Sequence, residues 1–156
     1  SDLVAALRAH PLARALRADK LTLAALHRTL LHYIRGEAME KVPVWRMIAA
    51  TEQALETRAQ AIAERVGPAA VVTHGASRLG GGSLPSDELP SRLVSVDASA
   101  AGGADELARR LRGGSPAVVG RIEDDRVLLD TRTVPPERDA ELANAVSEAL
   151  ARAADA

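Results

Sequence analysis

Apolar positions recur at helical spacing through the first 66 residues and give way to short extended runs after Gly67-Pro68. Asp2 is placed to cap a short first helix that Pro11 interrupts, and Leu12 to Leu16 continue helically. Thr22 is placed to cap a longer helix with Leu23, Leu26, Leu30 and Ile34 on one face, closed by Gly36. Residues 37–47 are less regular, with Pro43 keeping Val42 extended. Thr51 then caps a helix whose apolar face is Leu55, Ala59, Ile62 and Val66. Its early Glu52 and Glu56 and its late Arg65 match the helix dipole.

Beyond Pro68 the pattern predicts strands at 70–73 and 93–96, separated by a Gly- and Pro-rich loop from Gly80 to Pro90. Residues 104–111 predict a short helix using Leu107 and Leu111, stopped by Gly113-Gly114. Residues 118–123 and 126–131 flank Asp124-Asp125 at the spacing of a two-residue hairpin. Asp-Asp is a weaker turn signal than Asp-Gly, which leaves the turn type open. Pro135-Pro136 opens a last helix with Leu142, Val146, Ala149 and Leu150 on one face. The order strand, strand, helix, hairpin, helix predicts an α+β fold. A helical linking region (1–66) precedes a small antiparallel sheet with helices on one side (67–156).

Composition narrows the chemistry. Apolar residues make up 47% and charged residues 26%, a folding rather than a disordered chain. Tyr33 and Trp45 are the only aromatic residues, so aliphatic side chains must build the core. The absence of Cys excludes disulfides, thiolate metal sites and a thiol nucleophile, and is compatible with a reducing, cytoplasmic setting. Net charge is −1, which gives no bulk attraction for nucleic acid or an acidic membrane. No apolar run approaches the roughly 20 residues needed to span a bilayer. Among 20 Lys and Arg residues only Lys20 and Lys41 are lysines, so amine chemistry has two candidates.

Four clusters carry possible chemistry. His10, His27, His32 and His74 show no metal-ligand spacing, and no metal site is expected. Gly80-Gly81-Gly82-Ser83-Leu84-Pro85 lacks the Lys and following helix of a phosphate-binding loop, and reads equally as a shaped turn or a ligand-facing loop. Arg109, Arg110 and Arg112 form a basic run without interleaved aromatics, either a solvated helix face or a phosphate contact. Arg14 and Arg17 lie three residues apart, so on a helix two planar guanidinium forks converge on one phosphate or carboxylate. The alternative is a salt-laced helix end in which Asp19 pairs one of them. Lys20, beside Asp19 and near these arginines, is a candidate Schiff-base amine.

The segment from His10 to Leu26 resembles the stretch that follows the cofactor lysine in the bacterial L-seryl-tRNA(Sec) selenium transferase (selenocysteine synthase) family. The resemblance continues through Val42 to Met47, Gly80 to Pro85, Glu88 to Ser91, Pro116 to Asp124 and Leu128 to Val134, in the family's order. It implies the C-terminal part of a pyridoxal-phosphate enzyme with the aspartate-aminotransferase type of fold. That family converts seryl-tRNA(Sec) to selenocysteinyl-tRNA(Sec) with selenophosphate, as a large homo-oligomer.

In the family the Schiff-base lysine lies upstream of the part seen here, and Lys20 matches a different lysine. The resemblance therefore implies that this part is inactive alone and binds no pyridoxal phosphate. It places the family's anion-binding arginines on Arg14 and Arg17, with selenophosphate as their ligand. It likens Gly80, Gly81, Gly82 and Ser83 to an active-site loop. Arg132 is a weaker candidate for holding an anionic group, against a strand-end arginine in a salt bridge. Two further classes stay open: a tRNA-binding or assembly module using Arg109, Arg110 and Arg112, and a related lyase acting on small amino compounds.

Overall fold

The computed structural model describes residues 2–78 and 88–151. The chain divides into two compact units, Ser1–Arg46 and Met47–Ala156.

The first unit is helical, with α1 at Asp2–Ala9, α2 at Leu12–Ala15, α3 at Lys20–Ile34 and α4 at Ala38–Lys41. A further helix, α5 at Pro43–Ala49, runs across the division. Asp19, not Thr22, caps α3: its carboxylate accepts the Thr22 backbone N–H at 2.8 Å and the Thr22 hydroxyl at 3.1 Å. Asp with Thr three residues on satisfies one of the free N–H groups of the first turn, so the helix starts three residues earlier than a Thr22 cap implies. That contact holds the Asp19 carboxyl below its usual range, the Thr22 backbone N–H being the main cause. The next corner is held by His32 Nδ1 and Glu37 Oε2 at 3.0 Å. Trp45 Nε1 donates to the Tyr33 hydroxyl at 2.6 Å, so the two aromatic residues bond each other. The predicted apolar face of α3 forms on a real helix, yet Leu23, Leu26 and Leu30 stay about half exposed and Ile34 more so.

The second unit is built on a four-stranded antiparallel sheet of order β1-β2-β4-β3, with β1 at Ala70–Arg78, β2 at Glu88–Asp97, β3 at Arg121–Glu123 and β4 at Arg126–Asp130. Three helices share its core: α6 at Glu52–Val66, α7 at Ala104–Arg112 and α8 at Asp139–Ala151. Strand alternation sends Ala70, Val94, Val96, Val127 and Leu129 into that core. There they meet Ile62 of α6, Leu107 and Leu111 of α7, and Val146 of α8. Thr51 Oγ1 caps α6 through the Ala54 N–H, as the sequence predicts. Arg58 on α6 donates twice to Asp139 (2.6 and 2.8 Å) and once to the Val134 carbonyl (2.8 Å), fixing α6 to the start of α8.

Several boundaries differ from the sequence reading. Helix 52–66 is assigned there to the linking region, whereas its buried face packs in the sheet's core and the units divide at 46/47. Periodicity reveals which face is buried but not what buries it. Both first strands run several residues further than predicted, β1 to Arg78 and β2 back to Glu88, because β1 and β2 pair in register across polar positions. The predicted strand 118–123 shrinks to 121–123. Gly120 lies against β4 so closely that a Cβ there would stand 2.7 Å from Val127 Cγ1 and 2.9 Å from the Leu128 carbonyl. Asp124 and Asp125 have φ of 49° and 56°, both positive, which selects the type I′ hairpin. Asp125 Oδ1 also accepts the Ala104 N–H at 3.3 Å, completing the first turn of α7.

Candidate functional site

Arg14 and Arg17 lie in the helical unit. Arg14 is the third residue of α2, which ends at Ala15, so Arg17 falls in the non-helical link before Asp19. The two do not share a helix, and the convergence by helical spacing is not what the fold provides. Both are exposed and have no carboxylate partner among the described residues, and Asp19 is spent on Thr22. They are accessible cations rather than members of a salt-laced helix end.

The basic run splits by helical geometry. Leu107 and Leu111 set the buried face of α7, and Arg110 borders it. Arg110 is 7% exposed, with Nε on Glu106 at 2.8 Å and Nη1 on the Ala149 carbonyl at 3.2 Å. Arg109 stays on the surface and forks onto the same Glu106 carboxylate at 2.6 and 2.7 Å. These two arginines, Arg109 first, pull the Glu106 carboxyl down to about 2. Arg112 is exposed and has no ion-pair partner among the described residues.

Arg132 sits at the end of β4 in a 3-10 turn, 7% exposed. Its Nε donates to Ser77 Oγ at 3.0 Å, Nη1 to the Met47 and Ala50 carbonyls at 2.7 and 3.0 Å, and Nη2 to the Pro90 carbonyl at 2.6 Å. It is a buried fork on the protein's own neutral acceptors, neither an open anion ligand nor a salt-bridged strand end. Asp130 stands one residue removed, accepting from Ser77 Oγ at 2.5 Å, Ser91 Oγ at 2.9 Å and the Arg132 N–H at 3.1 Å. Ser77, Ser91 and Asp130 escape the sequence reading. The signal for them is an Asp and an Arg two apart inside the otherwise uncharged run from Val127 to Val134.

The outer face of the sheet, opposite the helices, holds a concavity of about 860 Å³ whose lining includes Thr73, Gly75, Ser95, Arg121, Arg126 and Leu128. Its arginines are committed: Arg126 Nε donates to Ser95 Oγ at 2.6 Å, and Arg121 Nη1 to the Ala76 carbonyl at 3.2 Å. Gly80, Gly81, Gly82 and Ser83 lie outside the described residues. No group of three or more His, Asp or Glu that could hold a metal occurs among the described residues. No helix among the described residues is long and apolar enough to cross a membrane.

The family model of L-seryl-tRNA selenium transferase matches residues 1–135. The chain belongs to that family. It is 41% identical over 160 aligned residues to the L-seryl-tRNA(Sec) selenium transferase of Moorella thermoacetica, covering 96% of this chain and 33% of the relative. The enzyme of the same description from Geobacter metallireducens is 43% identical over 85% of this chain and 30% of its own. That from Nitratidesulfovibrio vulgaris is 44% identical over 92% of this chain and 32% of its own. The chain thus spans about a third of the length of these relatives. Among solved structures, D-glucosaminate-6-phosphate ammonia-lyase aligns with a TM-score of 0.56 and 24% identity, over 92% of this chain and 35% of that one. That likeness is one of fold, and it agrees with the mixed architecture of helices and a small antiparallel sheet.

Proposed function

We propose that the chain is the C-terminal part of an enzyme that converts L-seryl-tRNA(Sec) to selenocysteinyl-tRNA(Sec) with selenophosphate, in the cytoplasm. The observation that carries the reading is sequence identity of 41% sustained over 96% of this chain to a transferase of that description. The exposed apolar face of α3 supports a part working within a larger protein, since half-exposed Leu23, Leu26 and Leu30 gain by further cover.

The resemblance implies pyridoxal phosphate, which would supply the electron sink for loss of the seryl hydroxyl. The described residues do not by themselves fit it. Lys20 and Lys41, the only amines on side chains, are both exposed at helix ends, where nothing desolvates them. No step is assigned to this chain through the cofactor.

The chain's own contribution is anion binding. Arg14 and Arg17 present two exposed guanidinium groups without a carboxylate partner among the described residues, and a guanidinium matches the oxygens of a phosphate with parallel N–H donors. They bind and orient selenophosphate. In the full-length enzyme, Arg14→Ala and Arg17→Ala should each raise KM for selenophosphate by about 10- to 100-fold, the worth of one charge-assisted contact. KM unchanged in both variants would overturn the assignment. For tRNA contact, exposure favours Arg109 and Arg112 and disfavours Arg110, whose guanidinium is turned to α8.

A further inference from the structure

The β1–β2 ribbon outruns the rest of the sheet. β4 pairs with β2 only from Leu93 to Asp97, so residues 88–92 have β1 as their strand neighbour and no second one among the described residues. An isolated two-stranded ribbon is marginal in water. Here the overhang is held from its outer face. Asp130 takes a hydroxyl from each strand, Ser77 of β1 and Ser91 of β2. Arg132 takes Ser77 Oγ and the Pro90 carbonyl, again one group from each strand. The other edge of the same guanidinium holds the Met47 and Ala50 carbonyls, just before α6.

We propose that Asp130 and Arg132 form a clamp that sets the direction of the β1–β2 ribbon, making Arg132 a positioning residue for the transferase and not a ligand for substrate. The functional half of this proposal rests on the reading of the preceding subsection. Three observations carry it. The guanidinium has five N–H donors, and four of its bonds already go to neutral groups of three separate segments, leaving little with which to meet an anion. At 7% exposure the group is closed to a ligand of any size. Serine esterified to tRNA also carries no free carboxylate for such an arginine to hold.

The bond pattern requires arginine. A lysine ammonium offers three donors from one point and cannot reach Ser77, Pro90, Met47 and Ala50 together, whereas a planar fork can. The ribbon's two strands are joined through residues 79–87, and the resemblance gives Gly80–Ser83 of that stretch an active-site role. A clamp at the base of the ribbon therefore acts on orientation, and orientation appears in kcat rather than in substrate affinity.

The test uses the full-length enzyme with Arg132→Lys. Amide hydrogen exchange at residues 75–78 and at Glu88, Leu89 and Ser91 is measured alongside kcat and KM for selenophosphate, well below the variant's thermal midpoint. The clamp predicts faster exchange at both strand ends, a fall in kcat of about tenfold or more, and KM changed by less than about threefold. A large rise in KM with kcat and exchange intact would make Arg132 an anion ligand and overturn the proposal. A lowered thermal midpoint with kcat and KM of the folded enzyme unchanged would reduce it to a stabilising contact and overturn it equally. Should Arg132→Lys fail to fold, Ser77→Ala, which cuts both the Arg132 and the Asp130 bonds to β1, carries the same comparison. Wild-type protein that makes no selenocysteinyl-tRNA would refute the transferase reading. The exchange comparison needs no substrate and decides the clamp on its own: unchanged exchange rejects it.

Discussion

Replacing Ile62 by Ala tests whether α6 belongs to the sheet, because Ile62 is 1% exposed and lies in one core with Val94, Val96 and Val146. The change removes three carbon groups at about 0.8 kcal/mol each, and a residual cavity raises the cost to about 3 kcal/mol. The sheet unit, Met47–Ala156, holds about 110 residues, and an unfolding entropy of roughly 2 cal/mol/K per residue turns that cost into a fall of about 14 °C in its melting temperature. Melting is followed by far-ultraviolet circular dichroism, with amide exchange at Val94 and Val96 as a local probe. Trp45, the single tryptophan, reports separately from the helical unit. Gln60→Ala, exposed on the same helix, is the control and should stay within about 0.5 kcal/mol of the parent. A shift below about 4 °C would refute the packing argued here. So would a shift seen in Trp45 emission while exchange at Val94 and Val96 is unchanged.

The Glu106 carboxyl, drawn down to about 2 by Arg109 and Arg110, contributes stability that is complete above its ordinary value of 4.5 and is lost as pH falls through about 2. Carbon-detected NMR titration should find that low midpoint, and Arg109→Ala should move it upward; a midpoint near 4.5 in the parent chain would contradict the contact. Asp125→Ala places a Cβ-restricted residue at positive φ and removes the acceptor for Ala104, at a cost of about 2 kcal/mol in urea unfolding, while Asp125→Asn costs little. An Ala variant as stable as the parent would dispose of that double role. In salt-dependent tRNA binding by the full-length enzyme, Arg109→Ala and Arg112→Ala should each lower the salt slope by about one. An unaltered slope would remove both from the interface.

The elements legible in the sequence are those in which pattern and cap agree. Helix 52–66 is read correctly from Thr51 to Gly67 because an apolar stripe, a hydroxyl cap and a dipole-matched charge order all point one way. The partner of that stripe is not legible: the same period describes a helix on a sheet and a helix in a linking region. Strand ends were hidden for a related reason. From Thr73 to Arg78 and from Glu88 to Arg92 the outer face mixes Thr73, Gly75, Ser77, Leu89 and Ser91, and the helix-side face turns to His74, Arg78, Glu88 and Arg92, so alternation fades while backbone pairing continues. Gly120 is a single residue whose importance lies in the distance to β4, which no window of sequence contains.

The arginines make the same point in chemical terms. Spacing proposed Arg14 and Arg17 as a helical pair, and the chain separates them by ending α2 at Ala15. What survives is their lack of carboxylate partners among the described residues, a property of the surroundings and not of the interval. Spacing joined Arg109, Arg110 and Arg112 as one basic run. A rotation of about 100° per residue sends Arg110 to the edge of the buried face and leaves the other two in solvent. Arg132 is the sharpest case, since its neighbours in sequence are uncharged apart from Asp130, while its four acceptors come from residues 47, 50, 77 and 90. A guanidinium in water is available to a ligand, whereas one whose donors are taken by carbonyls has become part of the scaffold. A chain that draws its cations almost wholly from arginine can therefore use one residue type for both purposes, and burial with bond count, rather than spacing, decides which is which.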